Sequence, residues 1–325
     1  MVMSMSTNHH KSPQSQNMHQ WVSLRPDISA ICILLAIERR RGVGIKDLKD
    51  LTAPIILQNP KVQSPYTNIS AYFENSTMSK VILVTGANSG IGYELVRLLA
   101  KKPEGHTVYL AARNASAGEE AQKKLHAEGL KNVKFIQLDV TQPASVHAAK
   151  EAIEKQEGGK LDVLVNNAGI AKMEENQSAT TVQIDVLRAT METNFFGLVQ
   201  TTNAFVPLLR KAALGSGSAV ILNVSTDMAS NAYQARPEAG LHVVAYNTSK
   251  AAANSYTIAL FHELKKDGIK VNAVTPGFTT SKLNMFTPGG KSLEDGARCL
   301  LPFALLDESG PTGKFFDENG KEFAW

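Results

Sequence analysis

Tyr246 and Lys250 have the residue types and the spacing of an acid–base pair. They lie four residues apart in a segment with a helical pattern, so on an α-helix they share one face, one turn apart. A tyrosine with its ordinary pKa of about 10 is a good proton donor but a poor base at neutral pH. A nearby lysine ammonium stabilises the tyrosinate form and lowers that pKa. The pair is therefore predicted to give a proton to a carbonyl oxygen, or to take one from an alcohol.

A glycine-rich turn at 85–92 predicts a site for the phosphates of a dinucleotide. It directly follows the apolar run 81–84 and directly precedes a helical pattern. Glycine lets the backbone turn tightly and approach a pyrophosphate with no Cβ atom in the way. The start of the helix then offers unpaired N–H groups and the positive end of its dipole. The residues predicted to contact the dinucleotide here are Gly86, Asn88, Ser89, Gly90, Ile91 and Gly92.

Three further landmarks follow in order along the chain. A strand pattern at 161–165 runs into Asn166-Asn167-Ala168-Gly169, a helical segment carries Asn194, and a strand pattern at 219–224 ends at Ser225-Thr226. With the glycine turn and the Tyr246–Lys250 pair, this order and spacing resembles the short-chain dehydrogenase/reductase family, and within it the carbonyl reductases. The resemblance covers roughly residues 78–325, including the ending at 310–316.

The resemblance implies a catalytic group of four residues: Asn194, Thr226, Tyr246 and Lys250. The family pattern is N-V-S-S with the second serine holding the substrate oxygen, whereas this chain has Thr226 at that position. Threonine keeps the hydroxyl but adds a methyl group and stiffens χ1. Ser225 is one place off and is expected to point to the other face of the strand. Asn194 matches the asparagine that helps to hold a water in the proton relay to the lysine, and a purely structural role for it stays open.

The end of the second strand pattern favours NADP(H) over NAD(H). An NAD site places an acidic residue there to bind the ribose hydroxyls, but this chain reads Ala111-Ala112-Arg113-Asn114. A guanidinium at Arg113 can pair with a 2′-phosphate. Carbonyl reductases often carry a second basic residue inside the glycine turn, where this chain has Ser89, so the predicted discrimination is weaker than that of a site with two cations.

The resemblance implies further cofactor contacts at other strand ends. Asp139 corresponds to the residue that contacts the adenine amino group, although an aspartate that only begins a helix cap is the alternative. Asn167 and Gly169 line the cofactor in relatives, and Asn167 could also simply tie the central strands together. The loop after the sixth strand pattern corresponds to the one over the nicotinamide amide and phosphates. Beyond the glycine turn, the predicted cofactor-binding residues are Arg113, Asp139, Val140, Asn167, Ala168, Gly169, Tyr246, Lys250, Pro276, Gly277, Phe278 and Thr280.

The function that these features imply is NADPH-dependent reduction of a ketone or aldehyde to the alcohol. Residues 281–291 are expected to form a mobile lid, and its Leu283, Met285 and Phe286 favour a small, uncharged, fairly hydrophobic substrate. Two alternatives remain at this point. Thr226 would also fit an NADP-binding scaffold or sensor with impaired catalysis, and an NAD-dependent alcohol dehydrogenase is disfavoured by Ala112 and Arg113.

Composition excludes several other classes of function. Residues 78–325 carry 26 basic and 25 acidic residues, which gives no reason to expect nucleic-acid binding. The two cysteines, Cys32 and Cys299, have no disulfide or metal-ligand spacing, so we expect no metal and a reducing compartment. The apolar run 30–37 is 8 residues long, far short of the roughly 20 that span a bilayer. A cytoplasmic protein without a membrane partner is predicted, while the oligomeric state stays open.

The pattern along the chain predicts an α/β fold in one domain. Near-continuous apolar strands separated by helices predict a Rossmann-type, doubly wound, seven-stranded parallel sheet over 78–325. Residues 1–77 are rich in Ser, Asn, Gln, His and Met and are expected to be a largely disordered extension or a gene-model artefact, with Met78 as the true start. A short helix over 29–40 is the one element expected there. Strands are predicted near 81–85, 107–112, 133–138, 161–165, 218–225, 269–275 and 314–317, and helices near 90–102, 116–129, 143–156, 184–213 and 245–267.

Overall fold

The computed structural model describes residues 78–325. A seven-stranded parallel sheet runs through this part of the chain in the order β3-β2-β1-β4-β5-β6-β7. The chain winds outward from β1 in one direction and then crosses back to β4, so the order reverses between these two strands. The predicted Rossmann-type, doubly wound sheet is therefore confirmed. The strands are β1 (Val81–Val84), β2 (Thr107–Ala112), β3 (Val133–Gln137), β4 (Val163–Asn166), β5 (Ala219–Val224), β6 (Ile269–Val274) and β7 (Phe315–Phe316).

The predictions for residues 1–77, including the helix over 29–40, lie outside the described residues. The boundary between an extension and a domain at residue 78 therefore stays a prediction.

Helices cover both faces of the sheet. Because neighbouring side chains of a strand point to opposite faces, Ile82 and Val84 pack in one apolar layer, and Val81 and Leu83 pack in the other. Burial on both faces explains why the strands read as continuous apolar runs. The helices are α1 (Gly90–Ala100), α2 (Ala115–Ala127), α3 (Pro143–Gln156), α4 (Ile184–Met191), α5 (Gly197–Ser216), α6 (Asn231–Gln234), α7 (Val244–Leu264) and α8 (Leu293–Ala304).

The two apolar layers divide the helices between them. Leu95 and Leu99 of α1, with Leu300 and Phe303 of α8, belong to the first layer. Helices α3, α5 and α7 contribute to the second layer, for example through Phe205. The sheet is thus enclosed on both sides, and its carboxyl edge remains as the place where loops from several strands meet.

The predicted helix over 184–213 is wrong in one respect. The chain forms a π-helical turn at Glu192–Phe196, between α4 and α5. Such wider turns are rare inside helices and occur often at functional sites. Asn194 lies at the centre of this turn, so the irregularity falls on a predicted catalytic residue.

Helix α8 has no counterpart among the predicted elements. Ser292 caps its start by accepting a hydrogen bond from the N–H of Asp295 at 3.1 Å, and Glu294 binds Arg97 of α1 at 2.7 Å. A serine followed by acidic residues and a periodic apolar pattern is a recognisable helix start. The sequence therefore contains the pattern of a helix start at this place, directly after the segment that is predicted to be a lid.

The last residues of the chain pack on the loop between β5 and α7. The rings of Tyr233 and Phe323 lie 5.7 Å apart, and those of Phe315 and Trp325 lie 5.6 Å apart. The N–H of Ala232 also donates to the carbonyl oxygen of Trp325 at 3.2 Å. The loop that carries α6 is thereby attached to the edge strand β7.

We propose that residues 78–325 fold as a catalytic domain without residues 1–77, because they contain a seven-stranded sheet and an apolar layer on each of its faces. A protein beginning at Met78 is expected to be soluble and to have a Tm within about 4 °C of the full chain, the shift that about 1 kcal/mol causes in a domain of this size. Differential scanning calorimetry of both proteins measures this. An insoluble product, or a Tm lower by about 10 °C or more, would contradict the proposal because it corresponds to several kcal/mol.

Candidate active site

The glycine turn is packed tightly against the end of β4. Gly86 has φ +63°, and a Cβ atom there would lie 2.8 Å from the Cα atom of Ala168. A Cβ atom at Gly92 would lie 2.3 Å from Nδ2 of Asn167. Neither position accepts a larger residue without moving backbone or a bonded amide, which accounts for glycine at both.

Asn167 holds the ends of β1 and β4 together. Its Nδ2 donates to the carbonyl oxygens of Thr85 at 2.8 Å and Gly86 at 3.2 Å. The hydroxyl oxygen of Thr85 accepts hydrogen bonds at 3.0 Å from the N–H groups of both Asn167 and Ala168. The sequence allows Asn167 either to line the cofactor or to tie the central strands together, and the structure shows the second of these roles.

The start of α1 fits the phosphates of a dinucleotide. Ser89 precedes the helix in an extended conformation, its side chain makes no capping bond, and the first turn contains no acidic residue. A Cβ atom at Gly90 would have no heavy atom within 4 Å, so the turn is open on that side. Free N–H groups in an open, uncharged turn at the positive end of the helix dipole suit an anion. Asn88 and Ile91 border the same turn.

The residues predicted around the adenosine lie at the ends of β2 and β3. Arg113 is exposed directly after β2, and its guanidinium forms no ion pair within residues 78–325. One oxygen of Asp139, Oδ1, accepts from the N–H and the hydroxyl of Thr141 at 2.9 and 2.7 Å. Oδ1 of Asp139 thus stabilises the local turn, whereas Oδ2 makes no hydrogen bond to the described residues. Val140 is buried, and its carbonyl oxygen accepts from the Gln200 amide.

The loop after β6 contains the other predicted cofactor residues, Pro276, Gly277, Phe278 and Thr280. Phe278 is exposed, whereas the hydroxyl of Thr280 donates to the carbonyl oxygen of Thr287 at 2.9 Å. The N–H of Thr280 donates to the carbonyl oxygen of Lys291, and the N–H of Lys291 donates to that of Phe278. These bonds close residues 278–291 into a loop with fixed ends.

The outer part of that loop is the predicted lid. Leu283, Met285 and Phe286 are exposed there, at 39, 58 and 66% of their surface. Met285 and Phe286 both have left-handed backbones, with φ of +53° and +57°, a conformation that costs energy for residues with a side chain. Whether the lid moves stays a prediction.

Lys250 is buried and positioned by the end of β5. Its Nζ donates to the carbonyl oxygen of Val224 at 2.9 Å. Burial lowers the pKa of this ammonium to about 8. A Cβ atom at Gly169 would lie 3.5 Å from this Nζ and 3.2 Å from Oδ1 of Asn194. The structure therefore brings Gly169, Asn194 and Lys250 together, as predicted from their order along the chain.

Asn194 connects the loop after β4 to helix α7. Its Oδ1 accepts from the N–H of Ile170, and its Nδ2 donates to the carbonyl oxygen of Ile170, both at 2.8 Å. The same Nδ2 donates to the hydroxyl of Ser249 at 2.9 Å, next to Lys250. Both N–H donors of the asparagine side chain are thus used in positioning, while Oδ1 accepts one hydrogen bond from the described residues. The role of Asn194 in a proton relay stays a prediction.

Tyr246 is buried one helical turn before Lys250. Burial raises the pKa of its phenol, and the nearby carboxylate of Asp227 raises the pKa further. The spacing of Tyr246 and Lys250 in the sequence predicts that the lysine lowers this pKa. In the structure the loss of water and the acidic neighbour dominate, so Tyr246 is held in its protonated form, ready to donate.

Ser225 and Thr226 face different partners at the end of β5. The hydroxyl of Ser225 donates to Oδ1 of Asn254 on α7 at 2.7 Å. The hydroxyl of Thr226 donates to Oδ1 of Asp227 at 3.0 Å and accepts from the N–H of Met228 at 3.3 Å. Ser225 is therefore committed to the helix interface. The contact between the Thr226 hydroxyl and Asp227 is not among the predicted features of the site.

Gln177 positions the start of α7 and is not among the residues predicted from the sequence. Its Oε1 accepts from the N–H of Tyr246 at 3.2 Å. Its Nε2 donates to the carbonyl oxygens of Ala171 and Lys172, both at 2.7 Å. Because the residue before α7, Val243, makes no side-chain cap, a distant glutamine supplies it. No local pattern marks a cap that lies 69 residues from its partner.

Comparison with known proteins identifies the family. The sequence model of the short chain dehydrogenase family matches residues 80–289. The chain belongs to the short-chain dehydrogenase/reductase family. Carbonyl reductase (NADPH) 1 of Mus musculus is 33% identical, over 76% of this chain and 99% of its own length. Salutaridine reductase of Papaver somniferum is 28% identical, over 74% of this chain and 95% of its own length.

The solved structures agree with the sequence relatives. The NADPH-bound carbonyl reductase from chicken fatty liver is 28% identical, with a TM-score of 0.68 over 76% of this chain and all of its own. This member of the family is therefore an oxidoreductase of the carbonyl reductase type. Among residues 78–325, the His, Cys, Asp and Glu side chains form no cluster suited to a metal ion. No helix of that same part is both long and apolar enough to cross a membrane.

The arrangement of Ser225 and Thr226 yields a test. Thr226→Val keeps the shape but removes the hydroxyl, and turnover is expected to fall about 10²–10³-fold, as for the loss of one donor to a developing oxyanion. Thr226→Ser is expected to keep turnover. The comparison variant Ser225→Ala loses the bond to Asn254 and is expected to lower Tm with little change in kcat. Unchanged kcat in Thr226→Val together with loss in Ser225→Ala would assign the role to Ser225.

Proposed function

We propose that this protein is an NADPH-dependent reductase that converts the ketone or aldehyde of a small, fairly hydrophobic substrate to the alcohol. The observation that carries the proposal is the buried, protonated Tyr246 one turn from Lys250. The loop after β4, at Gly169, packs beside that lysine. The neighbouring residues Asn167 and Ala168 pack against the glycine turn, so a proton donor and a fitting cradle for a dinucleotide share one edge of the sheet.

Each residue of the catalytic group has a distinct part in this proposal. NADPH, when bound, supplies the hydride. Tyr246 donates its phenolic proton to the substrate oxygen, and the hydroxyl of Thr226 orients that oxygen. Lys250 holds the cofactor ribose and, with Asn194 nearby, returns a proton to Tyr246. The raised pKa of Tyr246 favours its protonated form, which is the form that reduction requires.

The preference for NADPH rests on the end of β2. No acidic residue occurs in Ala111-Ala112-Arg113-Asn114, and Arg113 is exposed without an ion pair among the described residues. The hydrogen bond from the N–H of Ala87 to the carbonyl oxygen of Ala111 at 2.8 Å brings this strand end beside the glycine turn. The names of the mouse and chicken relatives include NADPH, which supports the same choice.

A second candidate is an NADP-binding protein with impaired catalysis. One observation favours it: the hydroxyl that would orient the substrate is a threonine, and its proton is already donated to Asp227. The buried Tyr246 and Lys250 argue against it, because a protein that only binds nucleotide has no need of a buried ammonium beside a phenol. Turnover distinguishes the two candidates.

The proposal is tested with purified protein, NADPH and a panel of neutral aryl ketones, aldehydes and quinones. Consumption of NADPH, followed by its absorbance, is expected together with formation of the alcohol, with kcat in the common enzyme range of about 1–10³ s⁻¹. Tyr246→Phe removes the proton donor and is expected to lower kcat at least about 10²-fold while nucleotide still binds. Nucleotide binding by the wild type without turnover on any member of the panel would favour the impaired scaffold.

Arg113→Ala tests the choice of nucleotide. The KM for NADPH is expected to rise at least tenfold, because a hydrogen bond to a charged group contributes about 1.5–3 kcal/mol. The KM for NADH is expected to stay nearly unchanged. Lys123→Ala, which removes an exposed cation from the neighbouring helix α2, is the matched control. Equal losses with both nucleotides would contradict the pairing of Arg113 with the 2′-phosphate.

A further inference from the structure

Asp227 places a carboxylate beside the hydroxyl that is proposed to orient the substrate. Its Oδ1 lies 3.0 Å from the hydroxyl oxygen of Thr226, and the residue is partly buried at the start of a 3-10 turn, Asp227–Ala229. A substrate whose carbonyl oxygen is held at Thr226 must therefore place its nearest substituents close to this carboxylate. A charge on those substituents would interact with the carboxylate at short range, where the Coulomb energy between two charges is largest.

No basic side chain neutralises this carboxylate among residues 78–325. Asp227 takes part in none of the ion pairs of that region. The ammonium of Lys250 is bound to the carbonyl oxygen of Val224. The guanidinium of Arg236, in the same loop, lies over the ring of Tyr233 at 5.7 Å. The carboxylate thus lies beside Thr226 and near Tyr246 without an ion-pair partner among the described residues.

We propose that Asp227 selects substrates by charge: it binds a protonated amine carried a few bonds from the reacting carbonyl and disfavours a carboxylate at the same place. This inference rests on the proposed function, and it replaces the expectation of an uncharged substrate. The exposed Leu283, Met285 and Phe286 still suit the apolar body of such a molecule.

The single proton of the Thr226 hydroxyl strengthens the inference. A hydroxyl has one proton to donate, and here it points to Asp227. When the hydroxyl turns to a substrate oxygen, the carboxylate loses that donor, and an unsatisfied, partly buried charge is costly. A substrate ammonium replaces the lost hydrogen bond with a stronger, charge-assisted one. A neutral substrate offers no replacement, and an anionic one adds repulsion.

A purely structural role for Asp227 makes a different prediction. Thr226 already caps the short turn by accepting from the N–H of Met228, so the carboxylate is not needed for that bond. If Asp227 acted only by shaping the turn, its replacement would change the kinetics of every substrate by a similar factor. A ratio of kinetic constants between substrates of equal shape separates the two roles.

The experiment compares Asp227→Asn with the wild type on three ketones of similar shape. These are β-(dimethylamino)propiophenone as the cation, its carbon isostere isopentyl phenyl ketone as the neutral compound, and β-benzoylpropionate as the anion. Asparagine has nearly the same shape and keeps one acceptor oxygen, while it removes the charge and replaces the other oxygen by an NH₂ group. Glu151→Gln, which removes an exposed acid from α3, is the matched control and is expected to behave as the wild type.

We expect the wild type to have its highest kcat/KM with the cation and its lowest with the anion. In Asp227→Asn the cation-to-neutral ratio of kcat/KM is expected to fall at least about tenfold, since a hydrogen bond to a charged group is about twice as strong as a neutral one. The anion-to-neutral ratio is expected to rise. Unchanged ratios, or an equal change for all three ketones, would overturn the proposal.

Binding calorimetry separates this inference from the proposed function. The amino ketone is titrated into the protein in the presence of NADP⁺, so that no hydride is available and no turnover is required. Weaker binding to Asp227→Asn than to the wild type, with equal binding of the neutral isostere, supports the charge contact even if no ketone is reduced. Equal binding of the amino ketone to both proteins overturns it. Failure to reduce the neutral ketone would count against the proposed function alone.

Discussion

The contact between Asn167 and the backbone of the glycine turn is the constraint on which the rest of the site depends. β1 and β4 are neighbours in the sheet although 78 residues separate the end of β1 at Val84 from the start of β4 at Val163. The side-chain amide of Asn167 and the hydroxyl of Thr85 join the two strand ends by five hydrogen bonds. Because of these hydrogen bonds, the glycine turn at the start of α1 and the loop that leads to Gly169 are held in fixed positions relative to each other. The same edge of the sheet can then position both the nucleotide and Tyr246, the proposed proton donor.

Burial controls the chemistry of the catalytic group more than the pairing of Tyr246 with Lys250 does. Loss of water lowers the pKa of the ammonium to about 8 and raises that of the phenol. The carbonyl oxygen of Val224 compensates the buried ammonium, which ties its position to the end of β5. Both shifts oppose the formation of tyrosinate, so the isolated arrangement is a better acid than base. A cationic nicotinamide beside Tyr246 would shift this balance toward the base.

The sheet and the converging residues could be predicted from the sequence because their signals are local. Apolar runs mark strands that are buried on both faces, and the glycine turn and the four-residue spacing of Tyr246 and Lys250 each lie within one segment. Gln177, the π-helical turn around Asn194 and the contact of Asp227 depend on which loops meet in space, so no pattern along the chain marks them. Helix α8 is a different case, because its serine cap and periodic apolar residues were readable.

The departure from the family pattern at Thr226 is best understood together with the neighbouring Asp227. Threonine restricts the rotation of the hydroxyl, and the aspartate supplies an acceptor within reach of it. A hydroxyl held by a carboxylate reaches a substrate oxygen only by giving up that bond, which makes orientation of the substrate costlier than in a site with two serines. The same carboxylate raises the pKa of Tyr246, which keeps the phenol protonated. A substrate with a positive charge near its carbonyl would replace the hydrogen bond that Asp227 loses when the hydroxyl of Thr226 turns to the substrate. The selection that we propose therefore acts through a charge that is separate from the proposed reacting carbonyl.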